Sequence, residues 1–199
     1  MEGLVNALEQ LAQALEANAD EFTHLDSEAG DGDLGLTAGK IADGIRNALV
    51  EPGESVRGLV LSVGKEVSKA APSTFGTLYA SGFLAAGLAL DESDDALSQF
   101  HKALQAAFDK IALRGKSEEG QRTLLDALGP AARAAASASS LPDALHKAAV
   151  AAEEGALATK KMAPHHGRAG WIGDRAKGIQ DAGATVIWRS LETFSSRPE

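Results

Sequence analysis

The 199-residue chain contains no cysteine, so disulfides and thiolate chemistry are excluded, which fits a reducing compartment. It is also short of positive charge: 19 lysines and arginines face 28 aspartates and glutamates, a net charge of -9. With no basic patch to offset that balance, no nucleic-acid partner is expected. No stretch approaches the roughly 18 uncharged apolar residues of a transmembrane helix. The first residues lack a basic segment followed by an apolar run, so no signal peptide is expected. These absences predict a cytoplasmic protein without membrane attachment. Strand signals are missing too, because no β-branched run alternates with polar residues.

What is present is an ordinary globular composition, 44 % hydrophobic and 24 % charged. The length suffices for one well-buried core, and no linker or repeat interrupts it, so residues 1–199 are expected to form a single domain. The most unusual stretch runs from Leu25 to Gly35 and holds three aspartates, one glutamate and three glycines. Asp and Gly are poor helix formers, so the stretch reads as a tight loop that draws Asp26, Asp31 and Asp33 together. Converging carboxylates repel one another unless a cation sits between them, and Mg²⁺ takes such oxygen ligands together with substrate phosphates. A plain turn with a helix N-cap is the competing reading. An EF-hand is excluded, because the required glutamate at the twelfth position is Ala42 counted from Asp31 and Thr37 counted from Asp26.

Helical periodicity fills the rest. Leu4, Leu8, Leu11 and Leu15 share one face of a helix over residues 1–18. Further helices are expected over about 35–50, from Ser55 onwards, over about 76–90, and from Ser93 or Asp94 to Gly115. The 76–90 segment is apolar on several sides and is expected to be central. A sixth helix carries Leu124, Leu125 and Leu128 and is interrupted by Pro130. A seventh follows Ser140 and Pro142, with Leu145, Ala149, Ala152 and Leu157 inward. The last carries Val186, Trp188, Leu191 and Phe194. Eight helices with mostly short links predict an all-α, up-and-down antiparallel bundle. Long loops remain before the second helix and, over about 160–183, before the last.

Other segments carry weaker chemistry. Gly115, Lys116 and Ser117 end like a P-loop, but position 110 is lysine and no strand precedes them, so a P-loop is rejected. A glycine-rich turn there can still admit a phosphate or nucleotide. The adjacent His165 and His166 read as a solvated loop rather than a metal site. Gly167 to Arg175 mixes glycines, Arg168, Arg175 and Trp171, a set suited to phosphate and base contacts. Asp181 and Gly183 suit either a ligand loop or a cap for the last helix.

Four segments then match one family in order. These are the acidic loop from Asp26 to Gly35, the stretch Gly76 to Phe83, the segment Gly115 to Asp126 with Thr123 and Leu125, and Gly167-Arg168-Ala169 through Gly173, Arg175, Gly178, Asp181 and Gly183. The chain resembles the nucleotide-binding L subunit, DhaL, of dihydroxyacetone kinases, a domain found also at the C-terminus of single-chain, ATP-dependent kinases. The resemblance implies a closed barrel of eight antiparallel helices with a nucleotide site in the loops at one end. It implies ADP or ATP as nucleotide and two Mg²⁺ ions held by Asp26, Asp31 and Asp33. Leu34, Gly35, Leu36, Thr37, Phe75, Gly76, Gly115, Leu124, Arg168, Asp181, Ala182 and Gly183 would line the nucleotide. The implied partner is a separate K-type subunit that holds the sugar covalently on a histidine, with bulk ATP or a phosphohistidine DhaM-type protein as donor. Leu34, Thr37, Phe75, Gln121 and Ala182 stand where the family has histidine, asparagine, serine, aspartate and proline. A non-catalytic binding module on the same fold and a metal-dependent phosphohydrolase are the alternatives.

Overall fold

Nine α-helices and one short 3-10 turn carry most of the chain in a computed structural model that describes residues 1–163 and 178–195, with no strand among them. The helices are α1 (Glu2–Ala17), α2 (Ala19–Ala29), α3 (Leu34–Leu49), α4 (Val56–Ala70), α5 (Thr74–Ala89), α6 (Ala96–Gly115), α7 (Leu125–Ala136), α8 (Leu141–Ala158) and α9 (Ala182–Ser195). The fold is all-α, as the periodicity predicts.

Most helix starts follow from side-chain caps. Ser55 Oγ accepts the Gly58 N–H at 2.9 Å, Ser73 Oγ that of Gly76 at 3.0 Å, and Asp95 Oδ1 that of Ser98 at 3.0 Å. The last two move the expected starts of α5 and α6 by two or three residues. Core faces are also as patterned in α1, α3 and α4, where Leu8, Leu11, Leu15, Ile41, Ile45, Leu59, Val63 and Val67 are fully buried.

Three expectations are corrected. First, the long loop before α3 is mostly helix. Asn18 ends α1 and begins α2, which runs through Asp26 to Ala29 and leaves a true loop of only residues 30–33. Asp20 and Glu21 suit the first turn of α2 by their charge. Phe22 is its one buried residue, so no repeating stripe marks it. Second, α5 is not central. Its buried side is made of small residues, Gly76, Ala80, Ser81, Gly82, Ala86 and Gly87 with Tyr79, while Leu88 is 64 % exposed. Third, the core face of α8 is alanine: Ala144, Ala148, Ala152 and Ala156 are buried, whereas Leu157 is exposed. Small residues let neighbouring helices come close. A Cβ on Gly155 would strike the Asp126 carbonyl of α7.

Helix contacts pass from α1 to α3, α4, α5, α6, α7, α8 and α9, and α9 returns to α1, while α2 packs on α3. Every second connection (residues 30–33, 71–73, 116–124 and, just before α9, Asp181) contributes to the lining of one cleft. This is what successive helices of alternating direction produce. No helix among the described residues is long and apolar enough to cross a membrane.

Candidate functional site

The cleft at that end has a volume of about 1050 Å³. One wall comes from α2, the loop to α3 and the start of α3. Asp26 reaches in from the last turns of α2, and Asp31 and Asp33 follow on the loop. Each offers a carboxylate oxygen within 4.8 Å of the others. Asp26 Oδ2 accepts the N–H groups of Asp33 at 2.9 Å and Leu34 at 3.2 Å, which folds the loop back onto α2. Gly30 has no side chain because Asp26 Oδ1 occupies the space where its Cβ would lie, and Gly32 takes a left-handed φ of 75°. Burial pushes the Asp26 carboxyl above its ordinary range. The Leu34 and Asp33 N–H groups pull it back, and Asp31 and Asp33 push it up again. The N-terminus of α3 has no side-chain cap, so its positive end also faces this acidic corner. Three close oxygen donors of negative charge fit a hard divalent cation.

The other wall is built differently. The loop from Lys116 to Leu124 contains three left-handed residues, Lys116, Gly120 and Arg122. Buried Asp126 holds it, accepting the Thr123 N–H at 2.7 Å and a short bond from the Gly120 N–H. Asp181 caps α9, its Oδ1 accepting the Ala184 N–H at 2.7 Å, and its own N–H donates to buried Thr159 Oγ1 at 2.8 Å. Burial pushes the Asp181 carboxyl up to about 6, against the Ala184 N–H and the Arg122 charge, which both lower it. Between the walls, Phe75 lies over Gly183, where an added Cβ would sit 3.2 Å from its ring, and stacks obliquely on Tyr79 at 5.9 Å.

Of the residues singled out in the sequence, Asp26, Asp31, Asp33, Leu34, Phe75, Gly115, Leu124, Asp181, Ala182 and Gly183 all line the cleft. Four do not. Leu36 is 64 % exposed and outside it. Gly35 packs against the Ala19 carbonyl and Thr23 of α2. Thr37 is buried one turn deeper, with Oγ1 donating to Ser73 Oγ at 3.4 Å. Gly76 is buried under the Ala71 carbonyl. Arg168, His165, His166, Trp171 and Arg175 lie outside the described residues. Pattern reading passed over Ser73, Thr77, Arg114 and Arg122, which also line the cleft, as does Ser117 of the glycine-rich turn. Ser73 was visible as a cap after a proline. Arg122 was not, because an arginine in a polar loop is ordinarily exposed.

Comparison with known proteins points to one family. The chain is 28 % identical over 198 residues to the ADP-binding subunit DhaL of the PEP-dependent dihydroxyacetone kinase of Escherichia coli K12, covering 96 % of this chain and 94 % of that protein. It is 30 % identical to the D-erythrulose kinase of Mycolicibacterium smegmatis over 92 % of its own length but only 33 % of that enzyme. The fold matches the crystal structure of the dihydroxyacetone kinase of C. freundii with a TM-score of 0.80 at 24 % identity, over 98 % of this chain and 34 % of that one. The same enzyme solved in complex with AMP-PNP and Mg²⁺ matches with a TM-score of 0.78. A family model, the DAK2 domain, matches residues 28–196. By that match and by its likeness to DhaL subunits, the chain belongs to the DAK2 domain family.

Proposed function

We propose that this chain is the nucleotide-carrying subunit of a kinase acting on dihydroxyacetone or a related short ketose, binding ADP or ATP with Mg²⁺. The observation that carries the reading is the cluster of Asp26, Asp31 and Asp33 within 4.8 Å at one wall of a cleft large enough for a nucleotide. These three residues would hold the metal, as two Mg²⁺ ions on the pattern of the family. Bound there, Mg²⁺ supplies neutralisation of phosphate charge, the main requirement of phosphoryl transfer. The chain's own part is positioning. The N-terminus of α3, where Leu34 lines the cleft, brings the positive end of the helix beside the acidic corner, a setting suited to phosphate. Phe75, Leu124, Ala182 and Gly183 give apolar surface for the base, with Gly115 allowing close approach, and Arg168 adds a phosphate partner.

The wider reading follows the same relatives. Residues 1–199 form one domain, the ring of helix contacts corresponds to the family's eight-helix barrel with α2 added, and the protein works in the cytoplasm. A K-type subunit holds the sugar, and either free ATP or a phosphohistidine DhaM-type protein recharges the nucleotide. The kinases of which this chain spans a third support the need for such a second part, and erythrulose joins dihydroxyacetone as a candidate substrate.

Thermal unfolding with ADP, with and without Mg²⁺, tests the site. A ligand at a hundredfold excess over its Kd adds about 2.7 kcal/mol, a rise in Tm of roughly 5–11 °C for a chain this size. The rise is expected only with Mg²⁺ and is lost in Asp31→Ala. No rise with ADP or ATP overturns the reading in favour of a binding module for another ligand.

A further inference from the structure

The loop between α6 and α7 holds a charged group that the acidic wall does not use. Arg122 is 2 % exposed and lines the cleft. Its backbone φ is 58°, an uncommon conformation for a long side chain, and Asp126 fixes it from both sides through the Gly120 and Thr123 N–H groups. Arg122 Nη2 donates to the Ile179 carbonyl at 3.0 Å. Nε and Nη1 are buried and have no hydrogen-bond partner among the described residues. A guanidinium stays charged and carries five N–H donors. Leaving two of its nitrogens unsatisfied costs free energy that a structural role would avoid. The built loop, the cleft-lining position and the open donors together describe a site completed by a ligand with acceptor atoms.

The position narrows that ligand. Asp26 interacts electrostatically with Asp31 and Asp33, whereas Asp181 is the carboxylate that feels Arg122. The two loops precede α3 and α7, which stand four places apart in the ring of eight contacting helices. Phosphates drawn to the aspartates therefore leave the nucleoside to reach the Arg122 wall. We propose that Arg122 is a specificity-determining residue that donates from Nε and Nη1 to acceptor atoms on the nucleoside part of the bound Mg-nucleotide. This rests on the reading of the cleft as a Mg-nucleotide site.

Calorimetric titration of the full chain with Mg-ADP and with Mg-pyrophosphate, which has no nucleoside, tests it. Arg122→Gln keeps an amide donor for the Ile179 carbonyl. It should weaken Mg-ADP by about ten- to a hundredfold, the range for a lost charged hydrogen bond, and leave Mg-pyrophosphate within about twofold, the spread of distant sites that share no partner. Equal weakening of both ligands, or none of Mg-ADP, overturns the proposal and leaves the site reading intact. A wild-type chain that binds neither ligand overturns the site reading and the proposal with it. A second measurement needs no folded variant. In the ¹H–¹⁵N spectrum of the unaltered chain, the Arg122 Nε–H should gain protection from solvent exchange with Mg-ADP and not with Mg-pyrophosphate. An Nε–H indifferent to Mg-ADP overturns the proposal.

Discussion

On the α2–α3 side of the cleft, three aspartates crowd within 4.8 Å of one another. On the α6–α7 and α9 side, Asp126 and Asp181 stand beside a buried arginine, and each is engaged by backbone N–H groups. The same side chain thus serves two ends. On the second wall the carboxylates hold the loop and the start of α9 in place through those bonds, although burial and the charge of Asp126 still push the Asp181 carboxyl up. On the first, mutual repulsion remains, since the Asp33 and Leu34 N–H groups offset the burial of Asp26 only in part. A carboxylate whose bonds are satisfied locally is part of the scaffold. One left in the company of like charges is available to a cation.

That contrast can be broken from its structural side first. Asp126→Ala should have the largest effect. It strands the Gly120 and Thr123 N–H groups, both bonded to its side chain, and releases Arg122 from its imposed backbone. A loss of about 3 kcal/mol is expected, read as a lower urea midpoint without change of slope. A midpoint within experimental error of the wild type would mean that Asp126 does not clamp the loop.

Asp181 gives a smaller effect that depends on pH. Its pKa rises on folding from about 3.9 in the unfolded chain to about 6. The folded state therefore binds more protons between those values. Stability from this group is greatest below about pH 4, falls as pH rises through the folded pKa of about 6, and is flat above it. Asp181→Asn can still cap α9 but does not titrate. Its Tm relative to wild type should therefore rise between pH 4 and pH 7. A difference independent of pH would remove burial as the cause.

The smallest stability effect belongs to the acidic wall. Asp33 is exposed and makes no side-chain cap bond. Asp33→Asn should leave ligand-free stability within about 0.5 kcal/mol, because lost repulsion and lost interaction with the α3 dipole oppose each other. It should nevertheless abolish most of the Mg²⁺-dependent rise in Tm with ADP. A variant that loses stability but keeps the ligand effect would reverse the comparison between the walls.

Much of the fold was legible as pattern. Leucine, isoleucine and valine at steps of three and four mark α1, α3 and α4, since burial of one face is a local consequence of sequence. Pattern failed where that signal thins. Helix α2 has a single buried residue, Phe22, and α8 turns alanines inward, which periodicity cannot distinguish from its leucines at neighbouring steps. In the cleft, the convergence of Asp26, Asp31 and Asp33 was readable because they are close in sequence. The burial of Arg122 was not, because the one carbonyl that its guanidinium is seen to meet, that of Ile179, lies 57 residues away.

By itself the amino-acid order determined the helical class, the absence of strands among the described residues and the gathering of acid at the start of α3, all of which depend on residues a few positions apart. Tertiary structure decided which connections meet at one end, which carboxylates become clamps and which stay crowded, and where a charged arginine loses its water. Those outcomes depend on the return of α9 to α1 and on helices packed closely through small residues such as Gly155, contacts that arise only once the ring has closed.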